Sequence, residues 1–276
     1  MLPVIRAIFG VPSFCGASGW REVWADEFNG DALDNTSWTI DLAGGDSRVR
    51  DSMGTVDNVY LERGSLILRS QRQQLGGYNY TSGAVQTQRK RSWRGTTRAC
   101  VRAMLPGGAN SDGVWPAHWL MPDLQRAVCW PSNGEIDIME MINGDNVLHS
   151  TYHWRARAVP GCGDHCANGS TAPGCRHPSI GAETLVTDAT TTFHEYAVEY
   201  NTSHIAFALD GTVFQTITKA TPSTQSGVKN LKAEFFDVPY YMILNTAIGG
   251  PWPKPPRNAT FPIYHTIDYV RVAQPE

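Results

Sequence analysis

The chain has no apolar run approaching the ~18 residues that a membrane helix requires, so no membrane partner is expected. It also lacks a charge excess. Against 26 Asp and Glu stand 23 Lys and Arg, a net of −3, with no basic or acidic block. Nucleic-acid or membrane-surface binding therefore has no electrostatic support. Linkers, low-complexity tracts and internal repeats are missing, and so is sustained helical periodicity. What remains is one domain, long enough at 276 residues to bury a large core. The opening MLPVIRAIFGVPSF is apolar but broken by Arg6 and two prolines. Residues 1–19 therefore read as an N-terminal extension or signal-like remnant, and 20–276 as the domain proper.

Strand signals fill that domain. SLILRS (65–70), TTRACVRAML (96–105), LHSTYHW (148–154) and HEYAVEY (194–200) alternate in polarity or are rich in β-formers. HIAFALDGTVFQTI (204–217) reads as two strands around an Asp210-Gly211 hairpin turn. YYMILNTAI (240–248) and TIDYVRV (266–272) close the series. Many short strands separated by Gly, Pro and Asn predict an all-β, two-sheet sandwich. Five N-x-S/T sequons, at Asn35, Asn79, Asn168, Asn201 and Asn258, exceed the roughly two expected by chance. Six cysteines fit an oxidising compartment, with their pairing open. Together these features point to a secreted protein, and a monomer is expected.

The stretch NGEIDIMEMING (133–144) places Glu135, Asp137 and Glu140 among bulky apolar residues. A helix turns about 100° per residue and would scatter the three acids. A strand puts Glu135 and Asp137 on one face, but its period of two sends Glu140 to the other. One extra residue, a β-bulge near Ile138-Met139, restores the parity. Ile136 and one or both of Ile138 and Met139 then pack inward. Three carboxyls on one face raise one another's pKa and add no stability. They suit a reaction that needs one ionised and one protonated carboxyl, as glycoside hydrolysis does. A solvated acidic strand is the plain structural alternative. A calcium loop is disfavoured because the stretch lacks the expected glycine punctuation.

E-I-D-I-M-E, preceded by WPSNG, resembles the catalytic signature of glycoside hydrolase family 16 in its bulge-containing form. VWADEFNGDALDNTSW (23–38), GVWPAHWLMP (113–122), YMILNTAIGGPWP (241–253) and IDYVRV (267–272) are similar to other family stretches of laminarinase type. The resemblance implies a β-jelly roll with a cleft on its concave sheet. It implies endo-hydrolysis of a β-1,3-glucan with retention of configuration, without a catalytic cofactor. It assigns Glu135 as nucleophile, Glu140 as acid/base and Asp137 as the modulator between them. Trp115 and Trp130 match cleft positions, and Trp119, His153 and Asn245 are further substrate-binding candidates. Core packing is the alternative for each tryptophan, and is favoured for Trp154. A His149/His153 metal pair and a zinc cluster of Cys162, His165, Cys166, Cys175 and His177 are the metal alternatives. A structural calcium, at positions matching Glu27, the Gly64 carbonyl and Asp268, is also implied. The segment 155–182 has no counterpart in the family pattern, and 46–58 also departs from it. Hydrolysis of another polysaccharide, such as mixed-linkage β-glucan, and non-catalytic β-glucan recognition are the rival functions.

Overall fold

The computed structural model describes residues 13–42, 52–107, 110–124, 130–155, 177–225 and 228–276. Its strands form two packed sheets, as the alternation predicts. The smaller sheet contains β2 (Thr39–Ile40), β7 (Ala84–Gln86), β9 (Val114–Pro122), β10 (Glu135–Glu140), β11 (Val147–His153), β12 (Ser179–Leu185) and β16 (Tyr240–Ile248). Their spatial order is β12-β11-β10-β9-β16-β7-β2, which leaves β10 flanked on both sides.

The larger sheet contains β1 (Trp20–Asp26), β3 (Ser52–Gly54), β4 (Val59–Glu62), β5 (Ser65–Leu75), β6 (Tyr78–Ser82) and β8 (Thr97–Met104). It continues through β13 (His194–Tyr200), β14 (His204–Leu209), β15 (Thr212–Thr218) and β17 (Ile263–Pro275). The order is β15-β14-β13-β8-β17-β5-β6-β3, with β1 on β17 and β4 on β5. The β3–β6 pair is parallel, whereas the other paired strands are antiparallel. The hairpin at 204–218 turns through Asp210 and Gly211, both at positive φ. That is the backbone a tight turn between twisted strands requires.

Inward-facing side chains from both sheets make one core, in which Trp38, Trp154, Tyr152, Tyr196 and Phe207 are almost wholly buried. A polar contact crosses it. His118 of β9 and His265 of β17 approach Nε2 to Nε2 at 3.0 Å, and Thr246 Oγ1 lies 3.2 Å from His265 Nδ1. Burial drives both imidazoles well down, His265 to about 3, so the pair is neutral, with one ring donating to the other.

Within residues 13–19, which the sequence reading placed in an N-terminal extension, Ser13, Phe14 and Cys15 contact the larger sheet. The carboxylate of buried Glu195 accepts from Phe14 N and Ser13 Oγ, each at 2.6 Å, and from Tyr269 Oη at 2.7 Å. Such a carboxylate needs donors once it leaves water, and the N-terminal backbone supplies one. The Arg98 guanidinium sits 3.9 Å from the Phe14 ring centroid and 4.0 Å from that of Trp20. Cys15 is bonded to Cys100 of β8. Cys129, Cys162, Cys166 and Cys175 lie outside the described residues.

The disulfide spans 85 residues of sequence, so it restricts a long loop of the unfolded chain. Replacing Cys100 with serine is expected to cost about 2–4 kcal/mol and lower the thermal midpoint by several degrees. Thermal melts of the variant and of the reduced wild type check this. An unchanged midpoint in both would show that the bond contributes nothing.

Candidate active site

The entry to β10 is fixed by its backbone. Asn133 and Gly134 both have positive φ, and a Cβ at Gly134 would lie 2.8 Å from the Tyr240 hydroxyl. Glycine is therefore required there. Tyr240 Oη donates to the Asn133 carbonyl at 2.5 Å and holds the turn against β16.

The bulge falls where parity demands it. Against β9, Asp137 pairs with Trp119 and Met139 with His118, so Ile138 is the extra residue. Against β11, Asp137 pairs with Thr151 and Glu140 with His149. Ile138 and Met139 both point into the core, 1% and 0% exposed, and Glu140 returns to the face of Glu135 and Asp137. A bulge breaks the ladder and strands a carbonyl. Ser150 Oγ, fully buried on β11, donates to the Ile138 carbonyl at 2.7 Å and repairs the loss.

Around the acids the outer face is aromatic. Trp130 Nε1 donates to Glu135 Oε2 at 2.7 Å, and Trp115 Nε1 to Glu140 Oε1 at 2.9 Å. Trp119 instead donates to Asn245 Oδ1 at 2.7 Å, so these two candidates satisfy each other on neighbouring strands. His153 Nε2 lies 3.2 Å from Asp137 Oδ2, and its Nδ1 lies 2.9 Å from His177 Nε2. The first approach is close but poorly aligned, and Asp137 Oδ2 is buried without a hydrogen bond. Trp130 remains 40% exposed, as a ring offered to a ligand must be. Trp154 is fully buried and stacks on Tyr152, so the core reading holds for it.

No lysine or arginine occurs in any strand of this sheet. The consequence is electrostatic. Removal from water raises all three carboxyls to about 8. The charge of Asp137 adds to the rise at both glutamates, while their indole donors and His153 oppose it. The three groups share their protons as a set, which keeps a protonated and an ionised carboxyl together near neutral pH.

Metal readings fare differently. Glu135, Asp137 and His153 bring one potential ligand atom each within 4.8 Å of one another. His149 is engaged elsewhere, 3.5 Å from Glu183 and edge-on to Trp252, so the His149/His153 pair does not converge on one point. Most of the cysteine–histidine cluster lies outside the described residues, and His177 faces His153. The proposed calcium ligands are matched to arginines. Arg271 holds Glu27 in a two-point pair at 2.7 and 3.1 Å, and Arg102 Nη1 lies 2.5 Å from Asp268 Oδ2. Gly64 occupies the β4–β5 turn at positive φ. A calcium ion needs a shell of six to eight oxygens, and carboxylates already balanced by guanidinium groups do not fit that demand.

Three residues of this neighbourhood escaped the sequence reading. Ser150 gave no signal beyond being polar in a strand. His177 was considered only for zinc. Trp252, edge-on to Trp115 at 5.3 Å and 37% exposed, sits within the GGPWP stretch and was legible there as an unexplained aromatic.

A β-sandwich with three coupled carboxyls on one outer face, flanked by tryptophans, has the layout of a glycoside hydrolase that works through paired carboxyls. The chain belongs to the glycosyl hydrolases family 16, whose sequence model matches residues 47–269. It is 31% identical over 270 residues to a beta-glucanase of Rhodothermus marinus, covering 93% of this chain and 86% of that one. It is 28% identical over 290 residues to glucan endo-1,3-beta-glucosidase A1 of Niallia circulans, covering 95% of this chain but only 39% of that longer protein. The laminarinase catalytic domain of Thermotoga maritima superimposes with a TM-score of 0.75 at 28% identity, over 93% of this chain and 99% of that one.

The raised carboxyls carry a stability cost with a defined sign. A carboxyl whose folded pKa lies above its unfolded value binds more protons in the folded state, so stability falls as pH rises through that window, here from about 4 to about 8. Asp137→Asn removes one buried charge while keeping the shape. Its thermal midpoint should exceed that of the wild type at pH 8, and by much less at pH 5, where Asp137 is already neutral. Equal differences at the two pH values would contradict the burial argument.

Proposed function

We propose that this protein is a secreted endo-β-1,3-glucanase of laminarinase type, acting with retention of anomeric configuration. The observation that carries the proposal is the bulge that gathers Glu135, Asp137 and Glu140 on one outer face. The similarity to a beta-glucanase and to a laminarinase domain supports the substrate class. The disulfide and the sequons support an extracellular site of action.

In this reading Glu135 attacks the anomeric carbon while Glu140 protonates the departing glycosidic oxygen. A covalent glycosyl-enzyme forms, Glu140 becomes a base, and an activated water releases the sugar. Asp137 keeps Glu140 protonated through its charge. The indole N–H of Trp130 favours the ionised Glu135, and that of Trp115 orients Glu140. The outer face of the smaller sheet forms the cleft, and Trp130, Trp115 and Trp119 offer rings to the C–H faces of glucose.

Glu135→Gln should lower kcat by roughly a thousandfold or more while glucan binding persists. A hydrolysis panel of laminarin, lichenan, agarose and carrageenan should show laminarin cut fastest. Inert laminarin beside rapid cleavage of agarose or carrageenan would overturn the substrate class. Proton NMR of early products should show the β anomer first. An α anomer appearing first would rule out direct attack by Glu135. Deleting Met139 should turn Glu140 away and abolish turnover in a domain that still folds.

The two tryptophan donors allow a sharper check on the roles. Each N–H bonds the ionised carboxylate, so its loss raises that carboxyl's pKa. Trp130→Phe should therefore move the acidic limb of kcat/KM to higher pH, because the nucleophile must be ionised. Trp115→Phe should move the alkaline limb to higher pH, because the acid keeps its proton longer. The reverse assignment of limbs would exchange the roles of Glu135 and Glu140.

A further inference from the structure

The segment 155–182 departs from the family pattern, yet its last part reaches the acids. The ladder between β11 and β12 pairs His153 with Ser179, and Trp154 N donates to the Pro178 carbonyl at 3.1 Å. Two residues before Ser179, strand parity puts His177 on the outer face beside His153. There it touches both His153 and Trp130. Its Nε2 meets His153 Nδ1 at 2.9 Å, and its ring meets the Trp130 ring edge-on with centroids 4.4 Å apart. From His177, then, one arm runs through His153 to Asp137 and another through Trp130 to Glu135.

We propose that His177 is a positioning residue for the hydrolytic reaction, fixing the tautomer of His153 and thereby the proton balance of the carboxyl set. The inference deepens the glucanase reading and rests on it for its kinetic arm. The chemistry follows from the imidazole inventory, since a neutral ring has one donor and one acceptor nitrogen. If His177 Nε2–H donates, His153 Nδ1 accepts and the single remaining proton sits on Nε2, facing Asp137. That polarity favours an ionised Asp137, whose charge holds Glu140 protonated. If Asp137 takes a proton, the chain reverses. His153 Nε2 then accepts from the carboxyl, and Nδ1–H donates to His177. Without His177, neither polarity is enforced at Nδ1.

Other titratable groups also face this side of the sheet. They are Glu135 and Glu140 on β10, His149 on β11, Glu183 on β12 and Tyr241 on β16. Among the described residues, the ring nitrogens of His153 face His177 and Asp137.

The test uses the full chain with laminarin as substrate. His177→Ala should lower kcat about tenfold, the scale on which outer-shell histidine partners act, with KM nearly unchanged. The alkaline limb of the pH profile should move to lower pH, because the His153 N–H is no longer held facing Asp137 and the Asp137 charge no longer holds the acid protonated. His177→Gln, whose amide can still donate to Nδ1, should restore most of the wild-type profile. A His177→Ala profile superimposable on wild type would overturn the proposal, as would failure of glutamine to rescue it. Nitrogen-15 NMR of the histidine rings supplies a readout independent of turnover. At a pH above about 8, where Asp137 is ionised, wild type should show His153 protonated at Nε2, and His177→Ala a mixture of tautomers. If the wild type cuts no β-glucan but the tautomer shift appears, the glucanase reading fails and the positioning inference stands. Unchanged ring signals sink the inference, whatever the activity.

Discussion

A single inserted residue in β10 is the constraint on which the rest of the site depends. Side chains alternate along a strand, so acids at i, i+2 and i+5 cannot share a face in regular geometry. Ile138 breaks the count once on each side of the strand. The surroundings keep it from slipping back into register. Met139 and Ile138 are locked in the core, Ser150 holds the displaced carbonyl, and Gly134 with Tyr240 fixes where the strand begins. The central place of β10, between β9 and β11, makes the bulge a feature of the sheet rather than of an edge.

Against this rigid background the carboxyls are in conflict. Three acids raised to about 8 by burial destabilise the folded state at neutral pH, and no lysine or arginine in the strands of this sheet relieves them. The fold carries that conflict because the core behind the sheet is extensive and apolar, and because the disulfide and the Glu195 clasp anchor the chain's start on the opposite sheet. The strain thus sits on the outer face of the smaller sheet, and the clasp and the disulfide on the larger one.

The same division explains what the sequence could reveal. The acids, the bulge and the strands around them were legible because they are local: spacing and period two act over a few residues. Whether one or both of Ile138 and Met139 face inward was left open by parity and settled by packing. Ser150, His177 and the Cys15–Cys100 bond were not legible, because each acts on a partner distant in the chain. The contacts of residues 13–15 were hidden for the same reason, since their partners are a glutamate at 195 and a cysteine at 100. Glu27 and Asp268 looked like free oxygen ligands until the fold delivered Arg271 and Arg102 to them.

The placement of arginines completes the logic. In the larger sheet, Arg98 pairs with Glu199 and Arg102 with Asp268, while Arg271 pairs with Glu27. A similar cation beside Glu140 would stabilise its anion and remove the proton that a leaving sugar needs. The outer face of the smaller sheet instead meets its acids with indole N–H groups and an imidazole. The indoles orient a carboxyl without setting a full positive charge beside it. In the proposed mechanism Glu140 is protonated in one half-reaction and ionised in the next, and a neutral indole donor beside it suits that cycle better than an arginine would.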